Sequence, residues 1–385
     1  MSEVQDTTTS VWRDGDPVGR RRFVDVGTVR LERGGEIGDV RLAYETWGRL
    51  APDGSNAVLI LHALTGDSHV TGPAEPGHPT DGWWEGVVGP GRAIDTDRWF
   101  VVAPNVLGGC QGSTGPASPG PDGRPWGARF PYLTVRDQVE AEARLTDALG
   151  IDRWAAVVGG SMGGMRVLEW AAMYPDRVRG IAPIAVGAVA SADQIALQTI
   201  QIQTVRADPS YRGGDYLLDP AAPRPVEGLA IARRLAHWSY RSREELDARF
   251  GRQPQGDGDP VGGGGRFTVQ SYLDHHGQKL VDRFDAASYV VLTDSMNSHD
   301  LGRDRDSVAA SLAAYRGEVA VIGIDSDRLY PIEEQQALAR LLLGSDAGAE
   351  VVRSPHGHDS FLIEFDQVGA ILEGLLGRVG APSHR

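Results

Sequence analysis

The pentapeptide Gly159-Gly160-Ser161-Met162-Gly163 is the one Gly-x-Ser-x-Gly in the chain, and it limits the possible folds more than any other segment. An apolar run at 154–158 leads into it. A helix-like segment at 164–174 leads out and stops at Pro175. Strand, sharp turn and helix are the setting in which this short pattern works as a nucleophile elbow. The turn forces the serine into a strained backbone conformation that lifts its hydroxyl above the sheet. Strand and helix then nearly touch, so the flanking positions must be small. A serine hydroxyl is a poor nucleophile by itself, so the rest of the chain must supply a base, an acid and oxyanion donors.

The other apolar segments predict the sheet around that elbow. Residues 23–32 and 40–47 alternate apolar and polar, as an antiparallel opening pair would. Continuous apolar runs at 57–61, 99–103, 155–158, 180–186, 319–324 and 349–352 suit buried parallel strands. Helical stretches such as 135–149 and 333–343 lie between them. The expected fold is therefore α/β, with about eight mostly parallel strands. The alternation fails between 188 and 297, where five helices are expected over 192–208, 228–240, 242–250, 267–284 and 286–296. A glycine-rich loop at 251–266 interrupts them. The sheet resumes at Val319, so this region reads as an insertion, in the usual place of a lid over an α/β-hydrolase pocket. The expected organisation is a disordered tail over 1–20, a core over 21–187 and 298–385, and a helical lid over 188–297.

Composition narrows the function. A length of 385 residues accommodates a large core and an insertion. The net charge of −14 argues against a broad nucleic-acid surface. An anionic substrate would instead need a local cluster of cations. Lys279 is the single lysine, and composition alone ties it to no function. Cys110 is the single cysteine, so there is no intrachain disulfide, in keeping with a reducing cytoplasm. With no base motif around it, Cys110 reads as a buried structural thiol rather than a second nucleophile. Residues 1–16 are too polar for a signal peptide, and no apolar run approaches the ~18 residues of a membrane span. A soluble cytoplasmic protein without a membrane partner is expected. No H-x-x-x-H or C-x-x-C is present, so no metal is expected.

In a fold built on this elbow the chain order is Ser, acid, His. The run at 319–324 is followed by Asp325 and Asp327, and the run at 349–352 by His356 and His358. Spacing favours Asp327, further into its loop, and His358, between Gly357 and a helix start at Asp359; Asp325 and His356 stay open as alternatives. A lone Asp after a strand is more often a turn or cap residue, and a lone His ordinary surface. Here the elbow, the Asp loop and the His loop occur together in the required order. The oxyanion donors expected are the backbone amides of Met162 and of Leu64, in the 61–67 loop. The His62 side chain reads as packing beneath the site. The glycine-dense loop at 105–116 reads as backbone packed closely on the pocket, and it lacks the GK[ST] ending of a phosphate cradle.

Taken together, residues 159–170, 61–66, 105–116, 297–300, 326–331 and 357–361 resemble, in order, blocks of the homoserine O-acetyltransferases of the α/β-hydrolase superfamily. The resemblance runs from about 40 to 376. It implies acyl transfer in methionine biosynthesis: acetyl-CoA acylates Ser161, and the hydroxyl of L-homoserine takes the acetyl group to give O-acetyl-L-homoserine. His358 would be base and acid in turn, steadied by Asp327, with ping-pong kinetics. It further implies that Arg233 and Asp359 bind homoserine, a cation for its carboxylate and an anion for its ammonium; Arg234 shares the claim of Arg233. Acetyl-CoA would be a co-substrate and no cofactor would be bound. A homodimer through the lid helices is implied as well. Arg166 stands where many members carry Gln. Transfer of succinyl groups, a serine acceptor, or plain ester hydrolysis would use the same catalytic residues.

Overall fold

The computed structural model describes residues 11–380. Strands β1 (Arg22–Arg30) and β2 (Glu36–Trp47) form the expected antiparallel pair. Strand β3 (Ala57–Leu61) follows, and β4 (Val88–Gly89) with β5 (Ile94–Asp95) makes a separate small ribbon. The main sheet is completed by β6 (Phe100–Pro104), β7 (Ala156–Gly160), β8 (Gly180–Ile184), β9 (Glu318–Val319), β10 (Ile322–Ile324) and β11 (Glu350–Val352). Its order is β1-β2-β6-β3-β7-β8-β10-β11, with β9 added on β8. Apart from the pairs that β2 makes with β1 and β6, neighbours are parallel. The apolar run at 319–324 is split in two, because β9 and β10 pair with different ends of β8.

Every residue of β3, β7 and β8 is buried, which is why these strands read as unbroken apolar runs. Their side chains alternate between two cores. Leu59 and Val157 face a core shared with α1 (Val135–Ala148) and α2 (Met162–Met173). Val58, Ile60 and Val158 face a core on the other side, with Leu372 and Leu375 of the last helix. Thr134 starts α1 through a capping box with Asp137.

Between β8 and β9 lie α3 (Ala192–Ala207), α4 (Val226–Tyr240), α5 (Arg243–Arg249), α6 (Thr268–Val281) and α7 (Ala286–Asn297). Helix α4 packs on α3 and α6 and touches the turn at 357–362. Beyond them come α8 (Val308–Leu312), α9 (Ile332–Leu343) and α10 (Phe365–Gly380). Of the tail expected over 1–20, residues 1–10 lie outside the described residues. Of residues 11–20, Val11 is buried in the core and the backbone N–H of Trp12 donates to the Cys110 carbonyl at 2.9 Å, while most of the others are exposed.

Candidate active site

Ser161 joins β7 to α2 with φ 56° and ψ −124°, a left-handed conformation that costs a non-glycine residue energy and marks functional turns. The close approach expected there is real. A Cβ on Gly163 would strike the Leu61 carbonyl, and one on Gly159 would come within 2.8 Å of the same oxygen. Ser161 stands at the N-cap of α2, so the Met162 amide has no carbonyl a turn earlier to bond. It is free to face developing negative charge, with the helix dipole behind it.

The two open choices after β10 and β11 are separated by geometry. Asp327 Oδ2 lies 2.6 Å from His358 Nδ1, and both side chains are buried. The other oxygen of Asp327 accepts the amides of Leu329 and Tyr330 at 2.8 and 2.9 Å. Asp325 instead accepts the Ser354 amide, and His356 turns to Glu245 at 3.3 Å. Tyr330 stacks on His358 with centroids 5.2 Å apart, and Tyr240 and Phe361 close around it. Burial by itself would lower the His358 pKa, but the charge and hydrogen bond of Asp327, with Asp359 nearby, raise it above the ordinary value. Its Nε2 is buried with no hydrogen-bond partner. Such a nitrogen commonly engages the nucleophile only when substrate is bound.

Leu64 lines the same cavity, and no hydrogen bond engages its amide among the described residues. His62 does more than pack beneath the site. It is buried, its Nδ1 bonds the Ala63 carbonyl at 2.7 Å and its Nε2 accepts the Val106 amide at 3.1 Å. The 105–116 loop supplies none of the cavity's lining residues; it lies behind the 61–67 loop, touching it through that Val106 bond. Burial pushes the Cys110 thiol up to about 12, far from a reactive thiolate.

The cavity holds about 320 Å³ and brings Ser161, His358, Leu64, Arg233 and Asp359 together. Its roof comes from the inserted helices, through Arg233 and Tyr240 of α4 and Lys279 of α6. Arg233 reaches Thr65 Oγ1 at 3.4 Å and lies over the Tyr240 ring. Arg234, one residue along the helix, points elsewhere, to Glu227 and Asp274. Asp359 is held by Arg241 at 3.3 Å. Sequence reasoning missed Arg241 and Arg283. Arg283 also lines the cavity and donates to the Thr65 carbonyl at 2.6 Å.

One cluster of metal-ligating residue types does occur. Glu45, His69 and His78 bring ligand atoms within 4.8 Å of one another, from three segments that no short motif joins. Hydrogen bonds hold two of the three, while His78 Nε2 lies 3.5 Å from Glu45 Oε1 and its Nδ1 is buried without a partner. His69 faces Glu45 Oε2 at 3.0 Å and the Gly72 carbonyl at 3.1 Å, so both ring nitrogens donate. Burial opposes its charge, but Glu45 raises its pKa. His78 accepts the Arg20 amide at 3.0 Å and is pushed down to about 3 by burial and then by Arg21. The two rings stack with centroids 4.0 Å apart.

The sheet order, the strained serine after the fifth strand of the main sheet and the Asp–His pair beyond it define an α/β-hydrolase fold, and the model of that fold matches residues 56–365. The homoserine O-acetyltransferase of Clavibacter michiganensis subsp. michiganensis is 59% identical over 96% of this chain and 95% of its own. That of Thermobifida fusca is 58% identical over 96% and 97%. A crystal structure of homoserine O-acetyltransferase from Bacillus anthracis, 25% identical, superposes with a TM-score of 0.84 over 93% of this chain and 97% of that one. The chain belongs to the homoserine O-acetyltransferase family.

Proposed function

We propose that this enzyme, an acyltransferase that acetylates the hydroxyl of L-homoserine for methionine biosynthesis, takes its acetyl group from acetyl-CoA and carries it on Ser161. Ser161 Oγ attacks the thioester carbonyl while His358 Nε2 takes its proton. The amides of Leu64 and Met162 receive the oxyanion. The C–S bond breaks, and CoA leaves with the proton from His358. Homoserine then enters, His358 removes its hydroxyl proton, and the new oxygen attacks the acetyl carbonyl. Collapse returns the proton to Ser161 and releases O-acetyl-L-homoserine. Asp327 holds the imidazole throughout and stabilises its cationic form.

The observation that carries this reading is the shared cavity: nucleophile, histidine, the unbonded Leu64 amide, a cation and an anion meet in one roofed space, and the Met162 amide opens the helix directly after the nucleophile. Arg233 suits the homoserine carboxylate, and Asp359, fixed by Arg241, suits its ammonium. Arg283 and Lys279 line the same cavity and form no ion pair with a carboxylate among the described residues. In a chain of charge −14, these unpaired cations suit the phosphates of CoA. The test is initial-rate kinetics of CoA release with both substrates varied. Parallel double-reciprocal lines with acetyl-CoA, and little rate with succinyl-CoA, are expected. Release of acetate at a rate insensitive to homoserine would replace the transferase by an esterase.

A homodimer through the inserted helices is part of the proposal. Over residues 192–201 helix α3 is inverted in polarity: Gln194, Gln198 and Gln201 are buried, while Ile195 and Ile200 stay 37% and 50% exposed; its last turns bury Ile202 and Val205 in the usual way. An apolar outer face of this kind suits a partner copy. Ile195→Glu with Ile200→Glu should convert a sedimenting dimer to monomer; a dimer that persists places the contact elsewhere. No helix of the described residues is long and apolar enough to cross a membrane. The compartment proposed is the cytoplasm, on the single unpaired, buried Cys110.

A further inference from the structure

A second buried ionic assembly approaches Ser161, and it ends on backbone rather than on a reacting side chain. It begins at Glu142 on α1. One carboxylate oxygen accepts Arg166 Nη1 at 2.6 Å, and the other accepts Trp170 Nε1 at 2.9 Å. Arg166, on α2, is fully buried, and its Nη2 donates to the His62 carbonyl at 2.5 Å. One peptide further on, the Ala63 carbonyl accepts both His62 Nδ1–H, at 2.7 Å, and the Gly66 amide, at 2.9 Å. The Val106 amide, bonded to His62 Nε2, sets that tautomer. Burial, then the charge of Arg166, pushes the His62 pKa down to about 3, so the ring stays neutral.

A peptide group is planar, with its N–H directed opposite its C=O. Fixing the Ala63 carbonyl therefore fixes the direction of the Leu64 N–H, and holding the His62 carbonyl fixes the plane before it. Leu64 lines the cavity with Ser161, and its amide is otherwise unengaged among the described residues. Stability alone does not account for the charges. An apolar pair of similar volume often serves a core as well as a buried ion pair, and Arg166 Nε is left buried without a partner.

We propose that Glu142 and Arg166 are positioning residues for the oxyanion site: acting through the His62 carbonyl, they aim the Leu64 amide at the oxygen of the acyl group on Ser161. The proposal rests on the acetyl-Ser161 reading above. Arg166→Met removes the donor but strands a buried carboxylate, which endangers the fold. The double variant Glu142→Gln with Arg166→Met removes both charges and keeps an acceptor for Trp170. Arg166→Lys keeps the charge but has no planar fork to serve both partners.

The readouts are melting temperature, kcat and kcat/KM for each substrate, and the carbonyl stretch of carbon-13-labelled acetyl-enzyme formed without homoserine. The double variant is expected to fold and to lose about tenfold to hundredfold in kcat and in both kcat/KM values, since a misaimed oxyanion donor is felt in the transition state. Its carbonyl stretch should move to higher frequency as the Leu64 hydrogen bond weakens. Arg166→Lys should show the same signature at smaller size. Wild-type kcat and an unmoved stretch, in whichever of these variants folds, would overturn the proposal and leave the pair a structural one. Absence of an acetyl adduct in the wild-type enzyme would instead overturn the reading beneath it.

Discussion

Two buried carboxylates, Asp327 and Glu142, are set behind Ser161, and they work on different kinds of partner. Asp327 holds an imidazole 2.6 Å away, a group that must gain and lose a proton. Glu142 holds a guanidinium, also 2.6 Å away, a group that keeps its proton throughout. The first pair tunes an acid–base group; the second fixes a carbonyl and, beyond it, an amide. A titratable partner is placed where a proton moves, and a permanent cation where only a dipole has to be held still.

Substitutions can break the two sides separately. The largest loss expected is at the point both serve: Ser161→Ala should abolish acylation, with about 10⁴-fold or more lost in kcat and no acetyl adduct by mass spectrometry. A variant that still acylates would move the nucleophile elsewhere. On the acid–base side, Asp327→Asn should cost about 10³–10⁴-fold in kcat, because the imidazole is no longer held in the productive tautomer. Its thermal unfolding should stay close to that of the wild type, and full activity would return the acid role to Asp325. The oxyanion side should be gentler, in the tenfold to hundredfold range, because Met162 still donates when Leu64 is misaimed.

Arg233→Ala should leave both sides intact and remove a substrate contact. The homoserine KM is expected to rise about tenfold to hundredfold, the worth of a charge-assisted hydrogen bond (about 1.5–3 kcal/mol), with a smaller change in acylation by acetyl-CoA. Equal losses in both half-reactions would tie Arg233 to CoA instead. The smallest effect is a shift along the pH axis. His358 must be neutral to act as base, and its pKa is raised in the fold. Acylation should therefore fall as pH drops through a value raised above that of an ordinary histidine. In Asp327→Asn the raising contribution of Asp327 is gone while burial remains, so the residual activity should persist to lower pH. The double variant of Glu142 and Arg166 should leave that limb where it was, which separates the two assemblies by pH as well as by rate.

The acid–base side was legible in the sequence because it follows chain order: strand, loop, acid, then strand, loop, histidine. Spacing favoured Asp327 over Asp325 without deciding between them, since both sit in one turn and the amides of Leu329 and Tyr330 determine which carboxylate is held. Arg233 and Arg234 are separated only by a helical step of ~100°, which composition cannot orient. The oxyanion support was hidden altogether. Glu142, Arg166 and His62 come from a helix, a second helix and a strand end, and no local pattern joins them. Arg166 was visible only as a departure from a family resemblance, and His62 only as packing beneath the site. Helix α3 hid its polarity in the same way, since its buried glutamines find partners such as Tyr289 on α7.

The central claim is that Ser161 carries the acetyl group between two substrates. Intact-protein mass spectrometry after mixing with acetyl-CoA, with and without L-homoserine, followed by peptide mapping, tests it most directly. The account predicts one acetyl group on Ser161, stable until homoserine discharges it as O-acetylhomoserine. Turnover without any adduct, or an adduct on Ser161 that homoserine does not discharge, would contradict it.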